Sequence, residues 1–272
     1  GWFVWAYKFR DLVDAGVEMV LLAATWHAWV NDKLGGDMNL IHAAARHVTR
    51  VLELIGVDMS RVRVVYAEEL VDRKEYWATL LRIAKNTSLS RIKRALTIMG
   101  RRADEAELDF SKLIYPLMQV ADIFELGVDI ALGGMDQRKA HMLARDVAEK
   151  LGWPKPIAIH TPLIPSLRGA GRMDMKGEID EVMAEAKMSK SKPESAIFVL
   201  DSDDDIRRKI KAAFCPARQV ENNPVMAIAK YIVFARPGAK LFVDRKPEYG
   251  GPIEFESYEE LEKAFVEGKL HP

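Results

Sequence analysis

Three short stretches of this chain hold residues of the type and spacing that could do chemistry. The first is Lys187-Met188-Ser189-Lys190-Ser191, inside a run from Thr161 to Ser195 that carries proline, glycine and lysine with little periodicity. Two lysines separated by small hydroxyl residues on a long loop can close over a polyphosphate and neutralise charge developing in a transition state. A solvated basic loop would have the same composition. The second is GGMDQRKAH, Gly133 to His141, between a predicted strand and a predicted helix. Open α/β sheets bind their ligands at that junction. Gly133 and Gly134 would let the backbone approach a ligand closely, and the helix N-terminus favours anions. Asp136 could accept hydrogen bonds from ribose hydroxyls, and Gln137 could hold an amino or carboxylate group. The plain alternative is a glycine turn with an aspartate cap. The third is YPLMQVAD, Tyr115 to Asp122. On a helix Tyr115, Gln119 and Asp122 fall at i, i+4 and i+7, so three polar groups share one face. On an otherwise apolar helix such groups are costly unless satisfied structurally or used for binding.

The elements that must position these residues alternate between strand and helix. Trp2 to Ala15 has a helical pattern that stops at Gly16. VEMVLLAA (17–24) is a nearly continuous apolar run of the kind found in buried parallel strands. A helix is predicted from Leu40 to Ile55, then a strand VRVVYA at 62–67, and two basic helices at 74–86 and 89–99 with no strand between them. Asp109 to Leu126 reads as a helix containing Pro116, followed by the strand VDIALGG (128–134), a helix from Asp136 to Lys150 and the strand PIAIH (156–160). This alternation predicts an α/β fold with a doubly wound, parallel, Rossmann-like sheet, a helical insertion and a mostly helical C-terminal domain. The division is 1–71 and 113–172 for the two halves of a nucleotide-binding domain, 72–112 for the insertion, 173–200 for the lysine loop and linker, and 201–272 for the C-terminal domain. There DSDDD precedes a basic helix, and Ser257 with Glu260 forms a capping-box pattern. A fold of this kind normally opens on a central strand, whereas these residues open on a helix. Its neighbours would otherwise carry unpaired backbone groups, so residues before Gly1 are expected.

Composition narrows the classes. Lys plus Arg and Asp plus Glu each total 40, so any nucleic-acid contact must come from local basic patches. A single cysteine, Cys215, gives neither a disulfide framework nor a thiolate zinc site and reads as a small apolar filler. The six histidines contain no i, i+4 pair, which argues against a helical metal site. No apolar run is long enough to span a bilayer, and no signal-peptide pattern is present. These features predict a soluble, cytoplasmic protein without a protein-held metal.

In this order and spacing the three segments resemble the class I aminoacyl-tRNA synthetases, and within them the tyrosyl branch of archaeal and eukaryotic type. The resemblance covers essentially the whole chain. It implies that Lys187 and Lys190 act on ATP phosphates, with Met188, Ser189 and Ser191 in the same ATP-binding loop and Mg²⁺ sharing the charge. Gly133, Gly134 and Asp136 would hold the adenylate. Tyr115 and Gln119, with Gln137 beside them, would bind the amino group of tyrosine, and Asp122 would accept from its phenolic hydroxyl. Leu22, Ala24 and His27 would form the pocket wall on a family strand. Tyr249 and His271 match positions that contact the anticodon of tRNA, and a homodimer is implied.

The departures are specific. Of the family's HxGH signature only Gly1 remains, with Trp2 in place of the last histidine, and the family's chain continues past Pro272. Continuation beyond both ends is therefore expected. Three other readings stay open: a tryptophanyl relative, a small-molecule adenylyltransferase of the same superfamily, and a non-catalytic synthetase-derived RNA-binding protein.

Overall fold

The computed structural model describes residues 2–99, 109–169, 188 and 193–270. They form two compact units, the first running essentially from Val4 to Thr161 and the second from Pro162 onward.

The first unit opens with helix α1 (Trp2–Asp14), which buries Val4, Ala6, Phe9 and Val13. Gly16 ends it at φ 87°, in the left-handed region where a side chain is strained. Strand β1 (Met19–Ala23), helix α2 (Thr25–Val30) and helix α3 (Met38–Leu54) follow. Asp37 caps α3 by accepting from the N–H groups of Asn39 and Leu40. Strand β2 (Val62–Tyr66) then pairs in parallel with β1, from Met19 opposite Val62 to Ala23 opposite Tyr66. After the short helix α4 (Glu68–Val71) come α5 (Lys74–Lys85), α6 (Leu89–Ala95) and α7 (Ser111–Glu125). Strand β3 (Ile130–Gly134), helix α8 (Arg138–Leu151) and strand β4 (Ile157–Thr161) close the unit. β3 and β4 are parallel, from Ile130 opposite Ile157 to Gly134 opposite Thr161. The strands are parallel, as expected for a Rossmann-like fold, and among the described residues no ladder joins one pair to the other.

The main core gathers Val65, Tyr76, Leu80, Ile83, Ile92, Val120, Ala121, Leu143 and Val147. The helices at 74–95 thus share one interior with α7 and α8. A second cluster seats Phe9 and Val13 of α1 against Leu52, Val57 and Val62. Pro116 sits inside α7, where it cannot supply the N–H that would reach back to residue 112.

In the second unit, helix α9 (Asp203–Lys211) starts as its sequence predicts. Ser202 accepts from the N–H of Asp205, and three aspartates occupy the first turn, where they suit the helix dipole. Asn223 caps the short helix α10 (Pro224–Ile228), and its side-chain N–H₂ contacts the Cys215 sulfur at 3.4 Å. The unit is not only helical. Strands β5 (Leu241–Val243) and β6 (Ile253–Phe255) form an antiparallel hairpin, too short to register as an alternating pattern. Its Phe255 joins Met226, Tyr258, Leu261 and Phe265 in a small core. Helix α11 (Tyr258–Val266) carries half of the expected capping box. The Ser257 hydroxyl accepts from the N–H of Glu260, but the Glu260 carboxylate reaches back to the N–H of Glu256 rather than that of Ser257.

Candidate active site

The polar face foreseen on α7 exists, and its members differ in how they are held. Asp122 is 4% exposed in the main core. One of its oxygens accepts from the Tyr76 hydroxyl at 3.1 Å, and the other lies 2.9 Å from His27 Nε2. Neither ring nitrogen of His27 has hydrogen-bond geometry to a partner, although the imidazole is 3% exposed. The ring stands edge-on to Tyr115 at 5.4 Å between centroids. Burial pushes the Tyr115 phenol up to about 12, and the nearby charges of Asp122 and Asp136 push the same way. The Tyr76 phenol is raised further, first by burial and then by Asp122. Both phenols therefore stay protonated at neutral pH and can donate.

One turn along α7, Gln119 donates from Nε2 to Gln137 Oε1 at 3.1 Å. Gln137 in turn donates to the carbonyl of Ile98 at 3.3 Å. Those two bonds leave Gln119 Oε1 buried and without a hydrogen-bond partner. A buried amide oxygen of this kind costs about 1–3 kcal/mol. An ammonium or another donor arriving there would recover that cost.

At the end of β3 close packing by itself requires glycine. A Cβ on Gly133 would meet His141 Cε1 at 3.0 Å and Gln137 Cβ at 3.1 Å. The side-chain space at Gly133 is thus taken up by α8 and the turn before it. Asp136 and Gln137 occupy the single 3₁₀ turn Met135–Gln137 between β3 and α8. Among the wall residues, Leu22 lies on β1 and packs against the main core. Ala24 caps α2, and His27 stands within α2 rather than on a strand. The sequence WHAWV is short and carries no strand alternation, so only its coupling to LLAA suggested a strand.

Tyr115, Gln119, Asp122, His27 and Gln137 therefore come together in one unit. Tyr249 lies in the other, in the 3₁₀ turn Pro247–Tyr249, and is 65% exposed. Of the lysine loop only Met188 is described, with its N–H donating to the carbonyl of Ile164 at 3.3 Å. Gly1, Lys187, Ser189, Lys190, Ser191 and His271 lie outside the described residues. Sequence reasoning missed Tyr76, which sits in the segment 72–112 assigned to an insertion. A tyrosine among KEYWATLL gives no periodic sign that its hydroxyl reaches another helix.

Behind Gly133, His141 Nδ1 and His160 Nε2 are 3.0 Å apart. One ring must donate and the other accept, and protonating both would set two N–H groups against each other. Burial, and then His160, push the His141 imidazole down to about 4. An unfolded chain would hold that proton with an ordinary value near 6.5. Between the two values the unfolded state binds more protons, so stability is fully present above about pH 6.5 and falls as pH drops toward 4. The shift corresponds to about 3 kcal/mol. His141→Gln should flatten the decline in Tm between pH 7 and 4.5. Parallel declines in parent and variant would place the acid sensitivity elsewhere.

A parallel α/β unit with a buried polar cluster beside the carboxyl end of β3 has its polar groups where open α/β sheets bind their ligands. The family of class I tRNA synthetases (W and Y) matches residues 1–272. The chain is 67% identical to the tyrosine–tRNA ligase of Aeropyrum pernix, covering all of this chain and 75% of that one. It is 61% identical to that of Sulfurisphaera tokodaii, with 100% and 74% covered. The crystal structure of tyrosyl-tRNA synthetase from Aeropyrum pernix superposes with a TM-score of 0.86 at 60% identity, covering 100% of this chain and 74% of that one. That of the Pyrococcus horikoshii enzyme complexed with L-tyrosine gives 0.87 at 43% identity, covering 98% and 76%. The chain belongs to the class I tRNA synthetases, in the branch of the tyrosine–tRNA ligases.

Proposed function

We propose that this protein activates tyrosine with ATP, giving tyrosyl-adenylate and pyrophosphate, and then passes the tyrosyl group to the terminal ribose of tRNA with release of AMP. The observation that carries the reading is a pair of buried acceptors on one face of α7. Asp122 is a buried carboxylate that accepts from Tyr76 and keeps lone pairs to spare, and Gln119 Oε1 is a buried acceptor with no hydrogen-bond partner. A phenol at one end and an ammonium at the other would meet both. Tryptophan offers an indole N–H that is shorter in reach and differently directed, so tyrosine fits the pair better.

The first step needs no protein nucleophile, because the substrate carboxylate attacks the α-phosphate. Catalysis is then positioning and charge stabilisation. Tyr115, Gln119 and Gln137 take the amino end, Leu22, Ala24 and His27 wall the ring, and Gly133, Gly134 and Asp136 take the adenylate. Lys187 and Lys190 act on the β- and γ-phosphates, with Met188, Ser189 and Ser191 in the same loop. Magnesium would share the charge of the ATP phosphates in this reading. Tyr249 and His271 face the tRNA anticodon in this reading. A homodimer is supported by exposed apolar side chains on α5 and α6, namely Trp77, Leu81 and Leu89. No described helix is long and apolar enough to cross a membrane, and the work of charging tRNA places the protein in the cytoplasm.

ATP–pyrophosphate exchange on the complete protein, with each amino acid in turn, tests the reading. Tyrosine alone should drive exchange. Exchange driven by tryptophan, or none with any amino acid, would overturn it.

A further inference from the structure

Tyr76 belongs to the segment that sequence assigned to an insertion, yet it is the largest fully buried side chain among the described residues, at 0% exposed. Its hydroxyl crosses from α5 to α7 and ends 3.1 Å from Asp122 Oδ1. The same Tyr76 hydroxyl lies 3.4 Å from the carbonyl of Met118, one turn earlier on α7. The opposite carboxylate oxygen faces His27 Nε2 at 2.9 Å, off the line of a hydrogen bond. A carboxylate has about four lone-pair sites. Tyr76 takes one on Oδ1, and His27 crowds Oδ2 without taking up a directed bond. The plane of the carboxyl group is thereby fixed from outside the pocket, while acceptor capacity remains on both oxygens.

We propose that Tyr76 is a positioning residue for substrate choice. It donates to Asp122 so that one carboxylate orientation is presented to an incoming phenol, with His27 as a backstop on the other side. The proposal rests on the reading that Asp122 receives the substrate hydroxyl. Buried donors of this type act through geometry: an acceptor free to rotate offers a hydroxyl less directed bonding and tolerates its absence better. A purely structural Tyr76 would instead tie α5 to α7 through the Met118 carbonyl. Its loss would then weaken the fold and lower activity toward every amino acid alike.

The test is Tyr76→Phe in the complete protein, which keeps the ring and removes only the hydroxyl. Pyrophosphate exchange is measured with tyrosine and with phenylalanine, alongside the KM for ATP. The expected result is a 10- to 100-fold loss in the tyrosine-over-phenylalanine ratio of kcat/KM (about 10-fold per 1.4 kcal/mol of lost discrimination). The loss should fall mainly on the tyrosine KM, with the ATP KM unchanged. An unchanged ratio, or equal losses for both amino acids, would overturn the proposal. If the Phe variant does not fold, Tyr76→Met takes its place with the same readouts. Asp122→Asn run in parallel separates the two levels. Should the ratio stay intact there as well, the reading of Asp122 fails; should it fall there and hold in Tyr76→Phe, only the role of Tyr76 fails.

Discussion

Asp122→Ala should lose most activity toward tyrosine and most discrimination against phenylalanine. Asp122 is 4% exposed, and its carboxylate meets Tyr76 on one side and His27 on the other. Phenylalanine fills the same volume as tyrosine but brings no donor, so it leaves a charged acceptor short of a bond in a site that water cannot easily reach. That mismatch, not the size of the ring, is what rejects it. Tyrosyl enzymes are themselves the standard case of hydroxyl discrimination, at about 10⁵, and that figure belongs to the family and sets a ceiling here. With the carboxylate gone the hydroxyl meets an apolar slot, and such slots favour the isostere that lacks the hydroxyl, by about 10² at most. The ratio of kcat/KM for tyrosine over phenylalanine should therefore fall by up to about five orders of magnitude, to near one or below. Tyr76 would lose its nearer partner and keep only the carbonyl of Met118 at 3.4 Å, so some stability should go as well, on the order of 1–2 kcal/mol. A general loss of folding lowers both rates together, which is why the ratio is the informative measurement. If the ratio does not move, Asp122 serves the core alone.

The site was legible where a helical period carried it. Tyr115, Gln119 and Asp122 share a face of α7 because the i, i+4, i+7 rule is local, and the structure places them as that rule requires. Gly133 was marked as special, but its packing was not legible, since the steric room beside His141 and Gln137 depends on how α8 packs against β3. Tyr76 was not legible at all. Its partner is 46 residues away, and nothing in the composition of α5 reports a contact between helices brought together by the core. The same limit applies to His141 and His160, which lie 19 positions apart and meet only because α8 returns beside β4. The β5–β6 hairpin failed for another cause. Three-residue strands with partly exposed faces give too few positions for an alternation to emerge. The strand ends and helix caps fared better, as with Asp37 and Ser202, because capping is settled within four residues.

The second large effect is expected at the lysine loop. Lys187→Ala and Lys190→Ala should each slow adenylate formation by about 10²–10³, the usual loss when one charge-stabilising donor is removed from a transition state. The reasoning depends on when the charge appears. As the α-phosphate is attacked, negative charge builds on the departing pyrophosphate, and a lysine that meets it then contributes to kcat as well as to kcat/KM. In the proposed reading tyrosine is held by Tyr115, Gln119 and Gln137 of the first unit, so its KM should hardly change. Combining the two substitutions sharpens the test. Two cations sharing one phosphate chain should couple, so the double variant should lose less than the product of the single losses. Rates of pyrophosphate exchange at saturating ATP, titrated with tyrosine in the parent, both single variants and the double, measure all three quantities at once. A raised tyrosine KM with kcat intact would mean that the loop shapes the amino-acid site and not the phosphate chemistry.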